Sequence, residues 1–450
     1  MFKVSTVDGT ELVRLRDTSQ TVPKARWSKL SNVIVAQLLT VPLRCLIQAP
    51  ISITKYGSAN ISEKPKLASS TVIGVGYVGE HLMEVFSSAF QIIGYDVSPS
   101  RIEQLQSKYS HLERVKFSNN EKDLKNASHF LVCVPTTLGL NGKVDSSHVR
   151  SAIKMLHSYV TNTSIVVIES TVAVGMTRDF SWTTRQDRTR IDPGRVEPPP
   201  RSIPKVVSGL DDITPGSLSA ITGLYRTVFD TVIQVSKPEV AEMTKLYENC
   251  QRTITIAYAN EMADACRELG IDPFEVANTS ASKPFGYLPM YPSLGIGGHC
   301  IPVNPVYFMS TCNLPLLKQA HERMATRPSR IASQLLTSIL EDDHQKHGGA
   351  HRPSLLVVGV GFKAGQSDLS HSPGLQLLNV MRQSGEIDLT FCDPFVQQES
   401  IPEIPKLEES SWKPEVLNTY SAIVVAVRQP GLDYGILMDL PDVRIEVWQR

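Results

Sequence analysis

The sequence predicts an α/β protein of two doubly wound domains joined by a long central helix. Three observations predict it. From Thr71 to Asp96, an apolar run, a glycine turn and a helix-length segment lead into a second apolar run. A second glycine-punctuated apolar run occupies Leu355 to Gly361. Between Glu239 and Gly270 lie about thirty residues without Gly or Pro.

Taken in order, Thr71 to Asp96 reads TVIGVGYVGEHLMEVFSSAFQIIGYD, the opening strand, helix and strand of a parallel sheet. Short β-rich runs follow at Phe130 to Val134 (FLVCV) and Ser164 to Ile168 (SIVVI), with a helix at Val149 to Tyr159 between them. Ser236-Lys-Pro-Glu239 has the form of a capping box with Pro in the first turn. The stretch running from it to Gly270 gives, at ~1.5 Å per residue, a helix on the order of 50 Å, long enough to bridge two domains. A mixed region extends to about residue 350. LLVVGVG, the helix SPGLQLLNVMRQSG and the strands DLTFCD and AIVVAV then complete a second α/β unit. Both units are Rossmann-like. The expected organisation is a poorly ordered N-terminal extension over 1–66, a dinucleotide-binding domain over 67–215, a central helical domain over 216–350 and a second doubly wound domain over 351–450.

Composition excludes several classes of function. Among 450 residues, 45 Lys and Arg balance 45 Asp and Glu, so no overall field favours nucleic acid or an anionic membrane. The seven cysteines are scattered, with no CxxC, which points to a reducing, cytoplasmic setting without structural zinc. The apolar run Val33 to Val41 falls short of the roughly 20 residues of a membrane span. It also lies too far from Met1 for a usual secretory signal, so the N-terminal stretch reads as an ill-ordered extension or a degenerate transit peptide.

Gly74, Gly76 and Gly79 form GxGxxG with a strand before and a helix after. Glycines there let backbone amides and the helix N-terminus, Tyr77 and Val78 included, approach a pyrophosphate. Asp96 ends the second strand, where a carboxylate accepts from both ribose hydroxyls and repels a 2′-phosphate, so NAD is expected rather than NADP. Arg101 either lies against the adenosine or is a solvated surface residue.

On the long helix, Lys245 and Asn249 stand at i, i+4 and share a face. Facing a cleft they would stabilise a developing oxyanion; facing water they would only be solvated. Glu242, Glu248 and Glu261 are open to the same two readings. The segment GIGGHCIPVNP (295–305) crowds glycines around Cys300. A thiol that must meet a substrate needs close backbone approach, whereas a structural cysteine needs only apolar neighbours. Adjacent His299 and Cys300 diverge, which disfavours a metal site. Asn304-Pro305 reads as an N-cap and first turn, placing the thiol ahead of a helix start.

With these residues in place, the chain resembles the UDP-glucose and UDP-N-acetylmannosamine dehydrogenases, the nucleotide-sugar 6-dehydrogenases. The matching segments are GVGYVG (74–79), LVCVPTT (131–137), ESTVAVGMT (169–177), IDPGR (191–195), KLYENCQRTITIAYANE (245–261), KPFGYLPMYPSLGIGGHCIPVNP (283–305) and GVGFKAGQSDLSHSP (359–373). They occur in family order. The resemblance implies an NAD-dependent, four-electron oxidation of the C6 alcohol of a UDP-hexose to a carboxylate through a cysteine thiohemiacetal and thioester. It implies that Cys300 is the nucleophile, that Lys245 and Asn249 steady the oxyanion, that Asn304 stands beside them, and that Thr171 sits beside the reacting carbon. Gly74, Gly76, Tyr77, Val78, Gly79, Asp96, Arg101, Pro135, Thr136 and Thr171 would hold NAD. Lys245, Asn249, Lys283, Phe285, Gly286, Gly297 and Lys363 would hold the sugar nucleotide. The second doubly wound domain would bind the UDP-sugar, and the long helix would supply a homodimer interface.

The sequence departs from the family at three places. Between Thr177 and Ile191 a helix, a strand and a glutamate-bearing loop shrink to RDFSWTTRQDRTR, with Thr189 where the glutamate belongs. The missing glutamate segment motivates an alternative, a catalytically impaired relative that still binds NAD or nucleotide sugar, and losing a strand beside the site would also threaten folding. Asn304 replaces an aspartate common in the family, and Ser370 replaces an arginine of the DxRxS motif.

Overall fold

The structure, a computed structural model, describes residues 3–7, 10–14, 69–139, 144–180, 184–188, 198–348 and 352–449. The chain divides into two units, Met1–Pro65 and Lys66–Arg450. In the first, β1 (Lys3–Val7) pairs antiparallel with β2 (Thr10–Arg14). The rest of the extension expected over 1–66 lies outside the described residues.

The second unit is built on two sheets. In the first sheet, β3 (Ser69–Ile73) pairs in parallel with β4 (Gln91–Tyr95) on one side and β6 (His129–Val132) on the other. Beyond β4 lies β5 (Val115–Ser118), and beyond β6 lies β9 (Ile165–Ile168). A short hairpin of β7 (Thr137–Leu138) and β8 (Val144–Asp145) intervenes in the chain. The order β12-β11-β10-β9-β6-β3-β4-β5 is completed by β10 (Thr184–Arg188), β11 (Lys205–Ser208) and β12 (Val232–Gln234).

The strands read as continuous apolar runs because both faces are covered. Val72, Leu131 and Val167 face one core with Leu82, Phe86 and Tyr225, while their neighbours Ile73, Val132 and Ile168 face the other with Val149, Ile153 and Leu156. That alternation places α1 (Tyr77–Ser87) on one face and α3 (Ser147–Leu156) on the opposite one. Strand β4 continues through a turn into α2 (Pro99–Lys108).

The expected loss of a strand after Thr177 is corrected here. Thr184–Arg188 lies between β9 and β11, parallel to the first and antiparallel to the second, so the shortened segment still supplies a strand. Thr189 and the IDPGR segment lie outside the described residues.

The central helix α6 runs Pro238–Glu268, 31 residues. Its expected capping box is not formed: Lys237 is the N-cap and makes no side-chain cap bond. Glu239 instead accepts from Arg178 of α4 (Met176–Asp179), and Arg178 also donates to Asp212, ahead of α5 (Ser217–Arg226). After α7 (Pro273–Ala281) and α8 (Asn304–Met309) comes α9 (Pro315–His347), a 33-residue helix that the sequence did not announce. Pro328 lies inside it, and read alone a proline breaks a helix.

The second sheet is parallel, in the order β14-β13-β15-β16: Asp388–Cys392, Ser354–Val358, Ala422–Val425 and Arg444–Val447. Leu355, Val357, Ala422 and Val424 face α9 and α10 (Pro373–Ser384), while Leu356, Val358, Ile423 and Val425 face the other core. The fold is thus two Rossmann-like doubly wound domains joined by a long central helix. Among the described residues, no helix is long and apolar enough to cross a membrane.

Candidate active site

The carboxyl ends of β3, β4, β6 and β9 all open on one edge of the first sheet. Gly79 there must be glycine, because a Cβ would stand 2.1 Å from the Gly74 carbonyl oxygen, so helix α1 and strand β3 meet too closely for any side chain. At Gly76 the equivalent position meets nothing within 4 Å. That open ground in front of the amides of Tyr77, Val78 and Gly79 suits a pyrophosphate. Asp96 accepts from Val75 N and Ser98 N, each at 3.0 Å, and remains half-buried at the strand end. Arg101, left between two readings by the sequence, is turned onto the glycine loop: its Nε donates to Val75 O at 3.0 Å and it pairs with Glu80. Asp96 and Arg101 therefore hold Val75 by its N–H and its carbonyl respectively, presetting the loop.

Two further loops reach the same edge. Ser170 Oγ donates to Val134 O at 2.7 Å, so the turn carrying Pro135 and Thr136 is tied to the one carrying Thr171. Behind them Glu169 is buried, accepting from both Lys205 and Tyr225. The residues present fit NAD: Asp96 would take the adenosine end and the open ground at Gly76 the pyrophosphate.

A compact apolar cluster joins this edge to the rest of the site. Ala173, just past Thr171, packs with Leu246, next to Lys245, and with Val303 and Tyr307, just past Cys300. Polar contacts refine the join. Asn249, 4% exposed, donates through Nδ2 to Asn304 Oδ1 at 2.7 Å, and Thr253 Oγ1 lies 3.4 Å from Ile301 O. The Asn249 face of α6 therefore looks into the protein and not into water. Asn304 is not the N-cap of α8; Val303 is, and the Asn304 side chain is spent on Asn249 while its N–H donates to Cys300 O at 2.9 Å. Cys300 is a free, half-buried thiol. Glu261, on the outer part of α6, pairs with Arg323 at 3.5 Å.

The glycines around Cys300 serve a purpose the sequence did not disclose. Gly297 and Gly298 press against Phe362, and Gly298 N donates to Ser370 O at 2.8 Å, so the close approach is to the second doubly wound domain. Lys363 follows Phe362, the residue that Gly297 and Gly298 meet. Lys283, Phe285 and Gly286 form an exposed turn, with Lys283 Nζ 5.1 Å from the centre of the Phe285 ring. Among the described residues, no group of three or more His, Cys, Asp and Glu could hold a metal ion.

His299 Nε2 lies 3.0 Å from both Asp368 Oδ2 and Ser370 Oγ. Its hydrogen bond to Asp368 raises the His299 pKa, and the same bond holds Asp368 well below the usual carboxylate range. Nearby His321 and His371 are pushed down by burial, His371 also by the charge of His299. A raised histidine stabilises below its unfolded value of about 6.5 and loses that contribution as pH rises through the folded value, whereas a lowered aspartate stabilises above about 4. The pair is thus expected to add stability between these limits and to lose it on the alkaline side. His299→Gln should flatten that limb by less than about 1 kcal/mol, since His299 is exposed. Urea unfolding at pH 5.5 and 8.5 measures it, and equal slopes in native and variant protein would count against the pair.

A glycine loop with an acid-ended second strand and a thiol on the facing loop define a dehydrogenase that uses NAD. Two domain models of the UDP-glucose/GDP-mannose dehydrogenase family match the chain, the NAD binding domain over residues 68–197 and the central domain over residues 239–323. It is 26% identical over 347 residues to a UDP-N-acetyl-D-mannosamine dehydrogenase of Methanococcus maripaludis, covering 72% of this chain and 79% of the relative. It is 27% identical over 393 residues to a UDP-N-acetyl-D-glucosamine 6-dehydrogenase of Salmonella typhi, covering 79% and 88%. The fold matches that of a UDP-D-ManNAc dehydrogenase from Pyrococcus horikoshii with a TM-score of 0.72 at 23% identity, over 85% of this chain and 95% of the other.

Proposed function

We propose that the chain carries out the four-electron oxidation of the C6 alcohol of a UDP-hexose, of the UDP-glucose or UDP-N-acetylmannosamine type, to the uronic acid. The observation that carries this reading is the cluster of Ala173, Leu246, Val303 and Tyr307, which packs the Thr171, Lys245 and Cys300 segments together. Residues 67–215 would bind NAD, 216–350 would carry the catalytic helix, and 351–450 would bind the UDP-sugar. NAD, when bound, supplies the hydride acceptor for both oxidations.

The alcohol first loses a hydride and a proton to become an aldehyde, with Thr171 beside the reacting carbon. Cys300 Sγ then forms a bond to the aldehyde carbon, and the resulting thiohemiacetal again carries a hydride to give. Lys245 and Asn249 steady the oxyanion that forms. Loss of the second hydride, with the hydroxyl proton passing to water, leaves a thioester; water adds, the C–S bond breaks, and the carboxylate, the free thiol and one proton released to solvent result. Asn304, neutral and bonded to Asn249, can orient that water but cannot take its proton. Lys283, Phe285, Gly286, Gly297 and Lys363 would surround the sugar nucleotide. Tyr247, Tyr258 and Leu269, exposed on and just beyond α6, suit packing against a second copy in a homodimer. A free thiol and NAD both suit the cytoplasm.

The case for an impaired relative rests on the missing glutamate segment, whose Thr189 lies outside the described residues; the strand Thr184–Arg188 is present beside β9. Supplying UDP-glucose and then UDP-N-acetylmannosamine with NAD, and counting NADH per acid formed, tests the proposal. Two per acid is expected; one per product would make this a simple two-electron dehydrogenase, and binding without turnover an inactive relative.

A further inference from the structure

The buried face of α6 carries four polar side chains among its apolar ones. Glu242, Asn249, Thr253 and Asn260 are each at most 4% exposed, and their spacing of seven, four and seven residues keeps them on one side. Each is bonded to a neighbouring segment of the chain. Asn249 holds Asn304, Thr253 approaches Ile301, and Asn260 accepts from Ser293 N at 2.8 Å, all on the Cys300 side. Glu242 holds the other side: its carboxylate accepts from Gly175 N at 2.5 Å, Thr177 N at 3.1 Å and Thr177 Oγ1 at 2.7 Å.

A carboxylate buried in such a place costs more than an amide would, unless a convergent set of donors surrounds it. Here the donors come from the turn that begins four residues after Thr171. Arg178, next in the chain, is held by Glu239, one turn earlier on the same helix. The first two turns of α6 therefore grip residues 175–178, and Lys245 lies one turn further on. A shift of that loop along α6 would be a shift of Thr171 relative to Lys245, Asn249 and Cys300.

We propose that Glu242 is a positioning residue for the oxidation, fixing the Gly175–Thr177 turn on α6 and so setting Thr171 against the helix and thiol that complete the site. This rests on the function proposed above. Glu242 touches none of the reacting atoms; it acts through the loop.

The test compares Glu242→Gln with native protein, because glutamine keeps the volume but turns a donor toward N–H groups that need acceptors. Deuterium exchange over residues 172–178 is expected to quicken while residues 295–305 stay as in native protein. Turnover should fall about 10- to 100-fold, as displacements on the order of 1 Å can cause. NAD affinity should change less than about threefold, because Gly76 and Asp96 are untouched. Thr177→Val should show a smaller loss of the same kind, and Thr177→Ser should restore it. Unchanged exchange, or quickened exchange with native turnover, overturns the proposal. A loss that appears only as reduced stability, with native turnover per folded molecule, does so too. If native protein itself forms no acid from any UDP-hexose, the functional reading falls first, which separates the two failures.

Discussion

Cys300→Ala is expected to lower uronic acid formation by on the order of 10³-fold or more, as loss of a covalent nucleophile does elsewhere, while NAD binding followed by protein fluorescence stays native. The reason lies in the second oxidation. A free aldehyde has no hydride in a position to leave, and only addition of a nucleophile at its carbon creates one. On the proposed route the first oxidation would need Thr171 and the NAD site but no thiol, so the variant should yield at most one NADH per sugar and release an aldehyde that a hydrazine traps. Cys300 is half-buried and closes no disulfide, so its removal should leave stability nearly native. Acid formation at the native rate would eliminate the thiohemiacetal route and leave the glycine-lined loop as a packing device alone.

Those outcomes depend on features whose legibility in the sequence differed. The doubly wound sheets were readable because strands buried on both faces leave continuous apolar runs, and because Gly74, Gly76 and Gly79 have no role in a plain helix start. The long helix was readable from an absence of breakers. Helix α9 was not, because Pro328 reads as a stop; its ring fills the space beside Gly295, where a Cβ would stand 3.0 Å away, so tertiary packing overrides the local preference. Spacing put Lys245 and Asn249 on one face without saying which way it looked. The direction came from Asn304, whose side chain the sequence had assigned to a cap. Glu242 was visible only as one of several acids on the helix. Its three-residue spacing from Lys245 was a usable signal, but its partners come from a loop 65 positions away at Thr177. Contacts of that range are set by the fold and leave no local pattern.

The same limit governs Gly298, where the second large effect is expected. Gly298→Ala should lower the unfolding free energy by about 2–4 kcal/mol, the sum of left-handed backbone strain and overpacking. Gly298 has φ +85°, and a Cβ there would stand 2.7 Å from Phe362 Cε2 and 2.9 Å from Cδ2. A half-buried phenyl ring does not give way as the far end of a long flexible side chain would, so the loop must move. Phe362→Leu, made together with Gly298→Ala, removes the clash but not the backbone strain. The double variant should therefore recover part of the loss, with a coupling of about 1–2 kcal/mol in a mutant cycle measured by urea unfolding. Strict additivity would mean that Phe362 is not what Gly298 accommodates. Because Cys300 lies two residues beyond, the single variant should also lose turnover per folded molecule, and Phe362→Leu should return some of it. That joint recovery would tie the thiol's placement to the second domain, with the loop that carries the proposed nucleophile seated on the Phe362 ring.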